Sequence, residues 1–434
     1  MNDLHEMSSR ARRSFLELSV SPAGIRNKSL IRLAEVLRER ADDIFSANKD
    51  DLERSGKEKL SAPLMHRLKF GTEKMDAVCE GLKSLAALPD PIGKTTLATE
   101  ITEGLNLYRV ICPIGVIGVI FESRPDALIQ IASLCIKSGN AVLLKGGREA
   151  IGTNRILSEA VRQALSDSGL PEDAAQLLET REDVSAMLKE DELIDLIIPR
   201  GSNAFVRYIM DNSRIPVLGH SDGICHVYID KDADPEKALR ITLDSKTQNV
   251  SVCNAAETLL VHEEAATEIL PAIAEKLREK GVRILGDEFC RKAIGCEPVS
   301  EEDWSKEYLD YIISVKTVRS LKEAIEHINY FGSHHTDCIV TENPDTAASF
   351  MNLVDSAGVY WNASTRFADG FVYGFGAEVG IATGKLHARG PMGLEGLTTY
   401  KYKLIGAGHT LADLKNGKMK YTHRTVPDSG KCPV

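Results

Sequence analysis

Cys253 is the residue in this chain whose type and setting most invite chemistry. It lies in "DSKTQNVSVCNAAETLLVH" (residues 244–262), between a helix-like run and an apolar strand-like run, with Asn254 directly after it. A thiolate at a strand and helix junction is a nucleophile. A free cysteine also packs as a small hydrophobe, so the residue by itself leaves both roles open. Four other stretches could serve a nucleophile. "LLKGGREA" ends an apolar run with Lys145, Gly146, Gly147 and Arg148, where glycines let the backbone approach phosphates beside two cations. It is neither GxxxxGK[ST] nor GxGxxG. "IIPRGSNAF" ends another run with Arg200, Gly201 and Ser202 ahead of a helix whose first amides would attract a pyrophosphate. "FESRPDA" sets Ser123 and Arg124 before Pro125, a residue suited to a first helical turn, so both can face a shared crevice. "GFGAEVGIATGKLHARGPMGLEG" could close over an anion or be an ordinary glycine-rich loop.

These turns need a scaffold, and the pattern around them supplies one. Apolar residues at helical spacing fill the first ninety positions, with Leu30, Leu33, Ala34, Leu37, Ala41 and Ile44 on one face. "LPDPIGKTTLATEITEGLNLYRVICPIG" then reads as a hairpin, from its prolines, β-branched residues and central glycine. After it, short apolar runs each followed by an amphipathic stretch ("VIGVIF", "AVLLKGG", "LIDLIIPRGS", "CHVYID") predict a parallel sheet wrapped by helices. The alternation restarts near residue 230 and runs through "ETLLVH", "YIISVKTV", "TDCIVTE" and "GVYWNAS", predicting a second α/β unit of domain size. Cys253 sits at its first helix-to-strand junction. The tail from about 410 is polar and punctuated by Pro and Gly, and is expected to fray.

Composition restricts the partners. The chain has 434 residues, 43% hydrophobic and 27% charged, enough for two or three buried cores. A net charge of −10, with no Lys/Arg-rich stripe to offset it, argues against nucleic acid as the main partner. Nine cysteines (79, 112, 135, 225, 253, 290, 296, 338 and 432) without a CxxC pair predict a reduced cytoplasmic protein with neither a disulfide framework nor a structural metal. The opening segment lacks the apolar core of a secretory signal, and no apolar run reaches the ~18 residues of a membrane span.

Read together and in order, "PIGVIGVIFESRPDALI", "LLKGGREA", "IIPRGSN", "GICHVYID", "TQNVSVCNAAETLLVH", "EAIEHINYFGSHHTDCIVTE" and "GKLHARGPMGLEGLTTYKY" resemble the gamma-glutamyl phosphate reductase family, a proline-biosynthetic branch of the aldehyde dehydrogenase superfamily. The resemblance covers nearly the whole chain. It implies an α/β, aldehyde dehydrogenase-like architecture: a Rossmann-like NADP(H) domain over 1–93 and 112–226, a catalytic domain over 227–393, oligomerisation elements at 94–111 and 394–410, and a tail over 411–434. It also implies a homo-oligomer, and a separate glutamate 5-kinase as the supplier of an unstable substrate.

By the same resemblance the reaction is NADPH-dependent reduction of L-glutamyl 5-phosphate to glutamate 5-semialdehyde with release of phosphate. Cys253 would form a thioester, and a tetrahedral oxyanion would need donors such as its own N–H, Ser123 or Asn254. Hydrolytic relatives carry an Asn where this chain has Ser123, and a water-activating Glu where "LGHSDGI" has His220. That second change fits a reductase that must keep water from its thioester. His220 could instead hold substrate or cap a turn. Lys145 matches the lysine that reaches the adenosine ribose. Arg148 stands where NAD-preferring relatives often carry Glu, which favours a 2′-phosphate. Gly201 and Ser202 match the pyrophosphate turn, and Glu307 matches the carboxylate that holds the nicotinamide ribose. For the charged substrate, Arg124, Asn362, Arg366, His387 and Arg389 are the expected contacts. The rivals are a hydrolytic aldehyde dehydrogenase and a non-catalytic nucleotide-binding homologue.

Overall fold

The computed structural model describes residues 3–220, 222–375, 378–426 and 432–433. Five helices open the chain: α1 (Asp3–Ser19), α2 (Ala23–Glu39), α3 (Ala41–Lys57), α4 (Ala62–Leu68) and α5 (Thr72–Ala87). Leu30, Leu33 and Leu37 of α2 are fully buried, as their spacing predicts. The expected hairpin follows as β1 (Thr95–Thr102) and β2 (Leu105–Pro113), an antiparallel pair.

The first parallel sheet contains β3 (Val116–Phe121), β4 (Ala141–Lys145), β5 (Ala175–Leu178) and β6 (Leu196–Arg200), in the order β5-β4-β3-β6. Every residue of β3 and β4 is buried, because helices cover both faces of the sheet. α6 (Pro125–Lys137) begins with proline at a position where no amide bond is lost. α7 (Ile151–Asp167), α8 (Arg181–Met187) and α9 (Asn203–Asn212) complete the layer. The chain leaves β3 toward β4 on one side and toward β6 on the other, so a crevice opens beyond the carboxyl ends of β3 and β6.

The second unit is a seven-stranded parallel sheet in the order β10-β9-β11-β8-β7-β12-β13. Its strands are β7 (Cys225–Ile229), β8 (Ala256–His262), β9 (Arg283–Gly286), β10 (Glu297–Pro298), β11 (Ile312–Val318), β12 (Thr336–Val340) and β13 (Gly358–Trp361). α10 (Pro235–Thr247) precedes β8, and the side chain of Asp234 accepts from the Lys237 amide at its start. One apolar cluster with Val227, Leu259 and Ile273 and another with Tyr228, Leu260 and Phe350 pack the two faces.

Two features depart from the sequence reading. The hairpin β14 (Gly380–Ala382) and β15 (Gly390–Met392) lies within the span expected for the catalytic domain, yet Val379, Ala382 and Met392 bury in the first core. The chain thus returns to the first unit before β16 (Thr398–Ile405) pairs along β2. The tail does not simply fray: β17 (Arg424–Thr425) adds to β1, and Arg424 pairs with Glu100. Residues 427–431 and 434 of that tail lie outside the described residues.

Candidate active site

The crevice at β3 and β6 collects the expected phosphate-binding turns. A Cβ on Gly201 would stand 3.0 Å from Phe205 and 3.1 Å from the Glu122 carboxylate, so any side chain here would crowd the turn. Ser202 precedes α9 without capping it, which leaves the first amides of the helix for a ligand. Lys145, buried at the end of β4, donates to the Gly146 carbonyl at 2.6 Å. A Cβ on Gly146 would fall 2.2 Å from Asn154 Nδ2. Both polar atoms of the Asn154 amide are buried without a partner. A cradle with no side chain beside an orphaned amide is what a hydrogen-bonding cofactor would complete.

Other groups here are already engaged. Ser123, with φ at +44°, gives both its amide and its hydroxyl to Glu149 Oε1 at 2.6 Å, so the hydroxyl expected to face an oxyanion is held by a carboxylate. Partial desolvation, reinforced by Glu149, pushes the carboxyl of Glu122 upward although the residue keeps some exposure. Arg148 is exposed and meets Glu58 at 3.1 Å. Asn203, at the start of α9, donates to Asp222 at 3.1 Å and also to Glu307. Glu307 is therefore a half-buried group facing the first unit, rather than a loose surface carboxylate.

Cys253 lies just ahead of β8 on the amino edge of the second sheet, where β8, β7 and β12 are neighbours. Its backbone is clamped from both sides. The Cys225 thiol donates to the Cys253 carbonyl at 3.3 Å, and Thr365 Oγ1 donates to the Asn254 carbonyl at 2.7 Å. Asn254 Nδ2 donates to the Ala368 carbonyl at 2.9 Å, which commits one of the two protons expected for an oxyanion. A Cβ on Gly223 would lie 2.2 Å from the Cys253 carbonyl oxygen and 2.4 Å from its Cα, so the chain before β7 presses directly on the cysteine backbone.

Around the sulfur stand two imidazoles and a cation. Donor atoms of His220, Cys253 and His335 all lie within 4.8 Å of one another. The His220 and His335 rings meet edge-on with centroids 4.8 Å apart. His220 Nδ1–H donates to the Ile381 carbonyl at 2.7 Å, and burial holds its pKa below the usual value. Arg366 donates to Gln248 at 2.9 Å; burial lowers its pKa, while the nearby Cys253, Asp244 and Asp369 oppose that shift. Behind the cysteine, Lys246 and Glu257 form a fully buried pair at 2.6 Å. Burial pushes Glu257 up to about 7 against the pull of Lys246.

Of the expected substrate contacts, His220 and Arg366 converge on Cys253, and the others lie elsewhere. Arg124 is exposed at the start of α6. Asn362 uses both ends of its amide on the Thr341 backbone, each at 3.0 Å, so it secures the end of β12 rather than offering itself to a ligand. Arg389 donates to Asp355 at 3.1 Å, and together with His387 it lines a separate cavity of about 510 Å³ beside Leu88 and Phe375. Sequence reasoning missed His335, Gly223, Cys225, Glu149, Asn154 and the Lys246–Glu257 pair. Only the doublet in "GSHHTD" offered a signal for one of them.

Comparison with known proteins identifies the family and the fold. The family model described as "Aldehyde dehydrogenase family" matches residues 1–288. The chain is 57% identical over 98% of its length, and 98% of the other's, to the gamma-glutamyl phosphate reductase of Acetivibrio thermocellus. It is similar to the crystal structure of gamma-glutamyl phosphate reductase from Thermotoga maritima, with a TM-score of 0.92, 39% identity, and 94% of this chain and 100% of that one covered. An engineered glycolyl-CoA reductase with bound NADP+ shares the fold alone, with a TM-score of 0.64, 15% identity, and coverage of 92% and 96%. Among the described residues, no helix is long and apolar enough to cross a membrane.

Proposed function

As the chain belongs to the aldehyde dehydrogenase family, within its gamma-glutamyl phosphate reductase branch, we propose that it reduces L-glutamyl 5-phosphate to L-glutamate 5-semialdehyde with release of phosphate, as an oxidoreductase of proline biosynthesis. The observation that carries this reading is identity of 57% across 98% of both chains. The cysteine segment clamped by Gly223, Cys225 and Thr365 supports it.

Cys253 is the nucleophile: its sulfur attacks the acyl carbon, phosphate departs and a thioester remains. Arg366, held by Gln248 near the sulfur, is suited to the phosphate or the carboxylate of the substrate. The backbone N–H of Cys253 and the remaining proton of Asn254 Nδ2 are candidate donors to the tetrahedral oxygen. His220 occupies the position where hydrolytic relatives carry a water-activating Glu, so this chain lacks that carboxylate there and the thioester is left for reduction.

The family and the reductase name imply a nicotinamide cofactor, which supplies the hydride when bound. For holding it we favour Lys145, Gly146, Gly147, Arg200, Gly201, Ser202 and Glu307, with Asn154 added from the cradle at Gly146. Arg148 favours NADP(H), because an exposed guanidinium welcomes a 2′-phosphate that a carboxylate would repel. A cytoplasmic location, assembly into a homo-oligomer through the β1–β2–β16 sheet, and a separate glutamate 5-kinase as supplier belong to the same reading.

The test runs the reaction in reverse with semialdehyde, phosphate and NADP+, following formation of the reduced nicotinamide. Phosphate-dependent turnover that disappears in Cys253→Ser while NADP+ binding persists is expected. Turnover without phosphate would favour the hydrolytic rival, and binding without turnover in the wild type would favour a non-catalytic homologue.

A further inference from the structure

His335 is a fully buried side chain at the head of β12. Its Nδ1 lies 2.9 Å from Thr336 Oγ1 and 3.7 Å from the Cys225 sulfur. Its Nε2 is buried with no hydrogen-bond partner. Leaving such an atom unpaired is costly, and a leucine or phenylalanine in its place would avoid that cost. The same ring is edge-on to His220 and has a nitrogen within 4.8 Å of the Cys253 sulfur. The unpaired nitrogen therefore belongs to a ring that stands beside the reacting atom.

We infer that His335 is a catalytic residue that takes the proton from the Cys253 thiol and returns one to the sulfur when product leaves. This rests on the reading of Cys253 as the nucleophile. Thr336 Oγ1 occupies Nδ1, which leaves Nε2 as the working nitrogen. His220, tied to the Ile381 carbonyl through Nδ1–H, packs against the ring and positions it. The charged and titratable groups that face this cluster are Arg366 near the sulfur, Cys225 beneath the cysteine carbonyl, Glu307, Glu378 and Arg200 around His220, and Asp337 beside Cys225.

The S–H bond of Cys253 breaks and its proton passes to His335. The sulfur's electron pair forms the C–S bond, and the C–O bond to phosphate breaks with its pair leaving on phosphate. That phosphate takes the proton from His335, so the imidazole is neutral again. After the thioester has been reduced by the cofactor that the proposed activity supplies, the oxyanion re-forms C=O and the C–S bond breaks with its pair returning to sulfur. One solvent proton, delivered through His335, restores the thiol. The cycle consumes one proton in all, as reduction of an acyl phosphate to an aldehyde requires.

The test compares wild type, His335→Gln, His335→Asn and Cys253→Ser as full-length proteins in chelator-treated buffer. Gln keeps a polar atom near the Nε2 position and Asn keeps one near Nδ1, and neither can carry the proton. Turnover in the phosphate-dependent reverse assay should fall by about 10²-fold or more in both His335 variants, the usual contribution of a general acid–base group. NADP+ binding and the melting temperature should stay near wild type. The reaction of Cys253 with iodoacetamide, located by mass spectrometry, should slow in both variants near neutral pH. The inference is overturned if either folded His335 variant alkylates and turns over like wild type, or if turnover falls while alkylation is unchanged. If Cys253→Ser keeps its activity, the nucleophile reading itself has failed. If that variant is dead while His335→Gln is normal, only the role of His335 is lost.

Discussion

Gly223→Ala is the most exacting perturbation of the cysteine loop, since it adds a single methyl group. An ideal Cβ at position 223 stands 2.2 Å from the Cys253 carbonyl oxygen, 2.4 Å from its Cα and 2.5 Å from its Cβ. Non-bonded atoms settle near 3.5 Å, so one backbone segment must retreat by about 1 Å. The cysteine side resists, because its carbonyl accepts the Cys225 thiol at 3.3 Å and the following carbonyl accepts Thr365 Oγ1 at 2.7 Å. Overpacking of this kind costs about 1–3 kcal/mol, and a displacement of about 1 Å at a reacting group costs roughly 10²-fold in rate. Gly219→Ala is the control: its Cβ would meet Pro199 at 3.6 Å, an ordinary contact. The assay is kcat/KM for phosphate-dependent NADP+ reduction, with a denaturant melt and NADP+ binding alongside. The expected result is a loss of about 10²-fold in the first variant, with binding kept, and near wild-type values in the control. A Gly223→Ala protein with wild-type kcat/KM would refute the claim that this contact fixes the nucleophile.

Further perturbations probe other parts of the site. Arg148 is exposed and paired with Glu58 at the surface, so Arg148→Glu should leave stability unchanged and cut kcat/KM for NADPH by about tenfold or more, the worth of a charge-assisted hydrogen bond, with NADH little affected; an unchanged ratio of the two cofactors counts against the 2′-phosphate role. Glu257→Ala strands Lys246 as a buried charge beside the cysteine loop and should lower the unfolding free energy by about 3–5 kcal/mol, read from the urea midpoint; Glu257→Ala with Lys246→Met should recover part of it. Burial among Trp304, His226 and Phe331 pushes His327 down to about 2. Its unfolded form takes up a proton below its ordinary 6.5 while the folded form does not, so this group's contribution is complete above that pH and is lost as pH falls through it, at about 1.4 kcal/mol per pH unit. His327→Phe should flatten the decline of stability between neutral and mildly acidic pH, and an unaltered slope in denaturant titrations would contradict this.

The alternation of short apolar runs with amphipathic stretches was enough to predict both parallel sheets, because side-chain period and burial are local properties of the chain. The four-residue β5 and β9 were not legible in the pattern. Val379 and Met392, though they follow the second unit in order, bury in the first, which no local pattern announces. The sequence by itself determined that Cys253 would stand at a helix-to-strand junction and that glycine turns with Lys145 and Arg200 would end two strands of the first sheet. Only the tertiary structure decided its company. His335 and Cys225 reach the cysteine because β8, β7 and β12 are neighbours in the sheet, and Gly223 touches it because the chain entering β7 crosses that edge. Strand order is set by long-range parallel pairing and by which faces must be covered, so residues remote in the chain meet at distances that spacing along it does not encode.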